Sequence, residues 1–298
     1  MIVSDCIEKS LNSLSQSSNI EDPDVIFATN LNRGIIKISG NDASSFLQAL
    51  ITNDIYGSAT IYAMMLSPQG RYLFDFFITN TGNLYWLETD LSSLSDLIAK
   101  LKLYRLRSNV VIEDVSDAYS IVYSHELLPR DKVCEYQDPR FEGMGMRTIV
   151  SGGSELATTD LYLRDKYAYA IPDGEFDLIR DKSMPQEYGM DMLKCIDYTK
   201  GCYVGQEMIS RTKYQGVIRK QIFKIVAESD LSGFEQGSQV TASGTKIGVL
   251  CSSYLNEGIG LIRLEDYNTN LGAQFYINGL EVRLEIPAWR ADKTEKHG

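Results

Sequence analysis

The residues best suited to do chemistry lie in one stretch, Asp197-Tyr198-Thr199-Lys200-Gly201-Cys202-Tyr203-Val204-Gly205-Gln206-Glu207-Met208-Ile209-Ser210-Arg211. Gly201 and Gly205 bracket a Cys-Tyr pair, and glycine permits positive φ or close backbone approach. From Gly205 onward the residues suit a helix start, with Glu207 placed to complement the helix dipole. Cys202 then sits just before a helix N-terminus and two residues from Lys200. Both neighbours favour the thiolate, the form that acts as nucleophile and metal ligand. A lone cysteine is also commonly a small buried hydrophobe. The residues alone leave both readings open, and exposure decides between them.

The surroundings are basic. Between Asp197 and Lys224 six cations (Lys200, Arg211, Lys213, Arg219, Lys220, Lys224) face two acids (Asp197, Glu207), a local charge of +4. Such an island suits a polyanionic small molecule, or it is simply a solvated face. The 298-residue chain as a whole carries 29 Lys+Arg against 40 Asp+Glu, a net charge of −11. That acid excess argues against a general nucleic-acid binder, whose affinity rests on clustered cations.

Other chemistries fall for lack of residues. The five cysteines, Cys6, Cys134, Cys195, Cys202 and Cys251, form no CxxC pair and no disulfide ladder, which fits a reducing compartment. With only His125 and His297 in the chain, a Ser-His-Asp triad or a multi-histidine metal site would depend on His125. Only Cys195 and Cys202 lie near each other in sequence, so no resident metal or cluster is expected from this chain alone. No apolar run approaches the roughly 20 residues that span a bilayer. The N-terminal stretch has no basic segment followed by an apolar one. The sequence therefore reads as a cytoplasmic protein without membrane or nucleic-acid partners.

Positioning these residues requires elements, and their pattern is α+β. Val25-Ile26-Phe27 and Gly34 to Gly40 read as strands, and Asp42 as the N-cap of a helix carrying Phe46, Leu47, Leu50 and Ile51. Ile61 to Leu66, Arg71 to Ile78, Leu84 to Glu88, Val110 to Asp114 and Ala118 to Tyr123 read as strands, and Asp90 to Leu103 as an amphipathic helix. Adjacent strands with occasional helices predict antiparallel sheet rather than a doubly wound βαβ fold. Pro129 to Gly153 reads as loop-rich, Leu156 to Tyr162 as strand or helix, and a helix is expected after Gly174. Short strands and turns from 216 to 288 predict a small β-barrel or sandwich. The resulting division is a polar arm (1–24), a two-lobed region (25–215), a barrel (216–288) and a loose tail (289–298).

The run Lys-Gly-Cys-Tyr-Val-Gly-Gln-Glu (200–207) resembles the signature of the YgfZ-type folate-binding proteins. These are relatives of the glycine-cleavage T-protein (aminomethyltransferase) and include a mitochondrial iron–sulfur assembly factor. The likeness extends over roughly 25–288. It takes in Gly34 to Asp54, the turn Ser67-Pro68-Gln69-Gly70-Arg71, the lead-in Met184-Pro185-Gln186-Glu187, and Ser238 to Leu264. It implies three lobes around a central hole holding tetrahydrofolate, and a role in assembling or repairing iron–sulfur enzymes that depends on Cys202. The rival it also implies is a folate-dependent aminomethyltransferase, although true T-proteins lack that cysteine.

The resemblance further implies Asp75 as a site carboxylate near the folate. Glu187 would pair with the pterin N–H edge, Tyr188, Tyr203 or Tyr214 would stack on the ring, and Arg211 or Arg219 would hold the anionic tail. Lys200, Gly201, Gly205, Gln206 and Glu207 are placed with these contacts, Lys200 and Glu207 also as fixers of the loop.

Overall fold

The computed structural model describes residues 28–82, 84–127, 132–152 and 160–291. The expected arm (1–24), the run Val25-Ile26-Phe27 and residues 292–298 lie outside them.

The first lobe is a five-stranded antiparallel sheet ordered β3-β4-β5-β2-β6, built from β2 (Arg33–Ser39), β3 (Thr60–Leu66), β4 (Tyr72–Asn80), β5 (Leu84–Asp90) and β6 (Val111–Asp114). Helix α1 (Ala43–Leu50) follows β2 and buries Ala43, Phe46, Leu47 and Leu50 against Ala63, Met65, Phe74 and Phe76. Each such large apolar side chain contributes about 1.5–3 kcal/mol on burial. Asp42 stands before this helix without capping it. Its carboxylate instead accepts the Asn109 backbone N–H at 2.7 Å. Helix α2 (Leu94–Arg105) packs through Leu94, Leu97 and Leu101.

The second lobe is a four-stranded antiparallel sheet, β1-β7-β9-β8, from β1 (Ala28–Leu31), β7 (Tyr119–Ser124), β8 (Lys132–Gln137) and β9 (Met146–Ser151). The stretch from 129 to 153, expected to be mostly loop, thus supplies two strands. They escape a pattern search because Glu135, Gln137, Arg147 and Thr148 interrupt the apolar alternation, and Arg147 and Thr148 are buried all the same. Helix α3 (Leu161–Ala168) follows, and Gly174 opens turns rather than the helix expected there. Asp173 accepts the Phe176 N–H at its side chain and the Asp177 and Leu178 N–H groups at its carbonyl, a cap-like start that closes turns and is not continued as a helix.

The third lobe is a closed antiparallel barrel, β10-β13-β12-β11-β14-β15, running from β10 (Lys220–Ala227) to β15 (Leu280–Glu285) through β11 (Gln239–Ala242), β12 (Thr245–Tyr254), β13 (Glu257–Arg263) and β14 (Phe275–Ile277). Closure leaves no free sheet edge. The short helix Ala288–Ala291 begins where a loose tail was expected. Trp289 lies over Gly189, where a Cβ would collide with the indole, and its Nε1 donates to Tyr169 O at 3.0 Å. Arg290 donates to Ile222 O and Gln221 Oε1.

Candidate functional site

The signature segment leaves the core at Cys195 and returns to it through a helix. Asn53 Nδ2 donates to Lys194 O at 2.7 Å, Thr52 Oγ1 to Cys195 O at 2.7 Å, and Asp197 N to Thr52 O at 3.0 Å. The segment is thus stitched to the chain just beyond α1. Lys200 then turns inward, and its ammonium donates to Gln48 O (2.8 Å), Ile51 O (2.7 Å) and Asn53 O (2.8 Å). These are free carbonyls at the helix's C-terminal end, where a cation also complements the dipole. Burial pulls the Lys200 pKa down to about 8, against the opposing fields of Asp54 and Asp197.

The loop then exposes Gly201 and Cys202, buries Tyr203 and half-buries Val204. Tyr203 enters the central core and Val204 packs on the core of the first lobe. Gly205 has φ +86°, and a Cβ there would stand 2.6 Å from Ser67 O, so only glycine fits. Helix α4 (Gln206–Gln215) starts at this point, with Ile209 buried and Glu207 in its first turn. Gln206 Nε2 reaches back to Lys200 O at 3.3 Å.

Cys202 is exposed, whereas Cys195 and Cys251 are buried and Cys134 is half-buried. Burial pushes the Cys134 thiol up to about 11 and the other two higher still. Among the described cysteines, Cys202 alone is presented to solvent.

The other expected site residues are arranged differently. Asp75 on β4 is 3 % exposed, and its carboxylate accepts the Tyr62 (2.8 Å) and Tyr72 (2.9 Å) hydroxyls. A Cβ on Gly174 would overlap the same carboxylate, so backbone covers it. Asp75 is therefore a sealed structural acceptor. Lys200 is likewise committed to carbonyls, not to a ligand or to the thiol. Tyr188 is buried, with Ser183 Oγ donating to its hydroxyl at 3.2 Å, and Glu187 beside it is half-buried. Tyr214 stands 72 % exposed on α4.

The basic island also thins out. Lys213 pairs with Asp191 (3.1 Å) and Lys224 with Glu257 (2.5 Å). Arg211, Arg219 and Lys220 remain without an ionic partner among the described residues.

Sequence reasoning missed the densest electrostatic feature, between the first two lobes. Asp138 accepts from Arg140 (3.0 and 2.7 Å) and Arg147 (3.0 Å), while Glu88 accepts from Arg147, Arg33 (3.0 Å) and Tyr136 (2.7 Å). Burial alone would raise the Asp138 carboxyl, but Arg140 and Arg147 hold it down to about 2. Arg147 lies 4.1 Å from the Phe77 ring centre and Arg140 5.2 Å from that of Tyr62. Nearby, Lys166 pairs with Asp177, which accepts from Ser252 on β12 of the barrel at 2.5 Å.

This network ends at a cavity of about 180 Å³ lined by Asn30, Asn32, Arg33, Tyr162, Glu175 and Phe176, among others. Arg33 gives its Nε to Glu88, yet its Nη2 is buried with no hydrogen-bond partner. Burial, then the fields of Asp173 and Asp90, push the Glu175 carboxyl up to about 7. No expected folate contact lines this cavity. Among the described residues, no group of three or more His, Cys, Asp or Glu side chains could hold a metal ion, and no helix is long and apolar enough to cross a membrane.

Comparison with known proteins bears on this arrangement. Residues 219–292 match the family model described as the C-terminal β-barrel domain of CAF17. The chain is 33 % identical over 218 residues to the mitochondrial iron–sulfur cluster assembly factor IBA57 homologue of Mycosarcoma maydis, covering 64 % of this chain and 54 % of that protein. Against mitochondrial IBA57 of Mus musculus it is 29 % identical over 272 residues, covering 78 % and 76 %. The chain is related to iron–sulfur cluster assembly factors of the IBA57 type. It spans little more than half of the Mycosarcoma maydis relative and about three quarters of the mouse one.

These matches narrow the resemblance from the wider YgfZ-type group to its IBA57-type relatives. They also overturn the expected cytoplasmic location, since these relatives are named mitochondrial. The fold is that of glycine-cleavage aminomethyltransferase T from Bartonella henselae, with a TM-score of 0.67 at 11 % identity over 88 % of this chain and 85 % of that one.

Proposed function

We propose that this chain supports assembly or repair of iron–sulfur proteins, its relatives being named iron–sulfur cluster assembly factors, in a mitochondrial setting like theirs. The observation that carries this reading is Cys202, an exposed thiol on a loop anchored on both sides, in a chain whose other described cysteines are wholly or partly buried. One thiolate does not hold a cluster, which takes several sulfur ligands. Cys202 therefore meets a cluster whose remaining ligands come from a carrier or client protein, and the partners are iron–sulfur enzymes or their assembly factors. Cys202→Ser is isosteric and exposed, so the folding midpoint should stay unchanged while support of iron–sulfur enzymes in a depleted host is lost. Full support by the mutant would sink this reading.

Tetrahydrofolate is the proposed small-molecule ligand, and the cavity at Arg33 and Glu175 is its proposed place. The Arg33 side chain lines the cavity, and a small shift would turn its buried, unpartnered Nη2 toward a pterin carbonyl. A carboxyl titrating near 7 can both donate to and accept from the pterin's amide-like edge, and Tyr162 and Phe176 offer flat faces. A volume of about 180 Å³ takes a bicyclic ring and leaves the glutamate tail outside. The reduced folate would supply one-carbon carriage. Calorimetric titration with tetrahydrofolate should show binding that Glu175→Leu abolishes, and an absence of heat with the wild-type protein removes the ligand.

The shared fold keeps an aminomethyltransferase as the second reading. Robust glycine cleavage by the purified chain with the partner proteins of that system would establish it over the first.

A further inference from the structure

We propose that Lys200 is a positioning residue that holds Cys202 in place, by clamping the loop to the end of α1. This rests on the reading of Cys202 as the working thiol. A Lys-Gly-Cys sequence suggests a cation that activates its neighbouring thiol, but the geometry assigns the cation elsewhere. All three ammonium N–H donors are used, on Gln48 O, Ile51 O and Asn53 O, each within 2.7–2.8 Å. The acceptors converge from one helix end and the turn after it. That arrangement matches a tetrahedral ammonium and not a planar guanidinium. The ammonium also lies over the Tyr203 ring, 5.2 Å from its centre.

The consequence for Cys202 follows from where the loop is held. On one side stands the Lys200 clamp, braced by Gln206 on Lys200 O. On the other stands Gly205, pressed on Ser67 O. Between them only Gly201 and Cys202 are exposed, and a Cβ on Gly201 would meet nothing within 4 Å. Among the described residues no hydrogen bond or ion pair holds the Cys202 side chain, so losing the clamp frees the thiol while the cores beneath, held by Tyr203 and Val204, persist. A loosely held thiol then samples many directions when a partner docks, which slows any step needing a fixed geometry.

A nitroxide spin label on Cys202 reads this directly, in full-length protein with Cys6 and Cys134 replaced by serine. Wild-type Lys200 should give a largely immobilised spectrum. Lys200→Met should convert most of it to a mobile component, with the thermal midpoint kept within a few degrees. Lys200→Arg, which keeps the charge but not the tripod, should also be mobile, and it decides the matter if Lys200→Met fails to fold. An immobilised label in Lys200→Met, or in Lys200→Arg, overturns the proposal. In cells, both variants should lower iron–sulfur enzyme support about tenfold. The label reports loop order whether or not Cys202 meets a cluster. Mobility in Lys200→Met together with full support by Cys202→Ser would therefore reject the functional reading and leave the clamp standing.

Discussion

The signature loop and the network between the first two lobes bury charge in opposite ways. In the network each ion answers another ion. Asp138 is shared by Arg140 and Arg147, Glu88 by Arg147 and Arg33, and aromatic rings wall the cluster from water. In the loop the single buried cation, Lys200, has no ion pair and gives its hydrogen bonds to backbone carbonyls. The difference teaches what each region is for. Ion-to-ion pairing joins strands from two sheets, so its failure is felt across the molecule. Ion-to-carbonyl pairing fixes one loop, so its failure stays local. The cavity beside Arg33 and Glu175 is where the network stops being self-sufficient.

The sharpest way to break this contrast is Arg147→Met. The substitution leaves Glu88 and Asp138 buried with fewer cations, and breaking a buried pair from one side costs about 3–5 kcal/mol. Denaturant unfolding should show a loss of that size, and a loss below about 1 kcal/mol would mean the network holds little together.

Acid tests the same network with a smaller effect. The Asp138 carboxyl lies near 2 in the fold against 3.8 for an unperturbed aspartate. A depressed carboxyl contributes stability that is present above its unfolded pKa and lost as pH falls through the folded one. On the order of 2 kcal/mol should therefore disappear between about pH 4 and pH 2. Stability measured across that range should fall in the wild type, and Asp138→Asn should lose this step. An unchanged acid limb in the mutant would assign the fall to other groups.

These two regions also differ in how legible they are in sequence. The loop is read from local rules: glycines at 201 and 205, a helix opening at Gln206, and strands and turns that predict the barrel beyond. Those rules describe backbone propensity over a few residues, and they hold where the structure is local. What they miss is set by distant partners. Glu88 meets Arg147 across 59 positions, and Lys200 meets Gln48 across 152. No spacing along the chain encodes either. The same cause hides β8 and β9, whose polar residues, the buried Arg147 among them, make them look like loop. Asp75 shows the converse: its place near the fold's centre is legible, but its role is not, because Gly174 and two tyrosine hydroxyls close over it.

Asp75→Asn places that residue on one side of the contrast or the other. As a sealed acceptor it should cost about 1–3 kcal/mol, because the amide NH₂ faces a hydroxyl that the carboxylate accepted from. Iron–sulfur enzyme support should follow the folded fraction and nothing more. Lost support at full stability would return Asp75 to the working site.

The smallest expected effect sits where network and cavity meet. The Glu175 carboxyl is raised from 4.5 to about 7, first by burial and then by Asp173 and Asp90. A raised carboxyl favours the folded state most below its unfolded pKa, and that advantage fades as pH rises through 7. The group is partly solvated, so screening shrinks the change in stability and makes it a poor readout. Ligand affinity is the better one. If the protonated carboxyl donates to the pterin edge while Arg33 Nη2 donates to its carbonyl, tetrahydrofolate should bind several-fold more weakly at pH 8 than at pH 6. Glu175→Gln keeps a donor at every pH, so its affinity should be flat across that range. A wild-type profile as flat as that of the mutant would detach Glu175 from the ligand and leave the buried, unpartnered Arg33 Nη2 as the donor to test next.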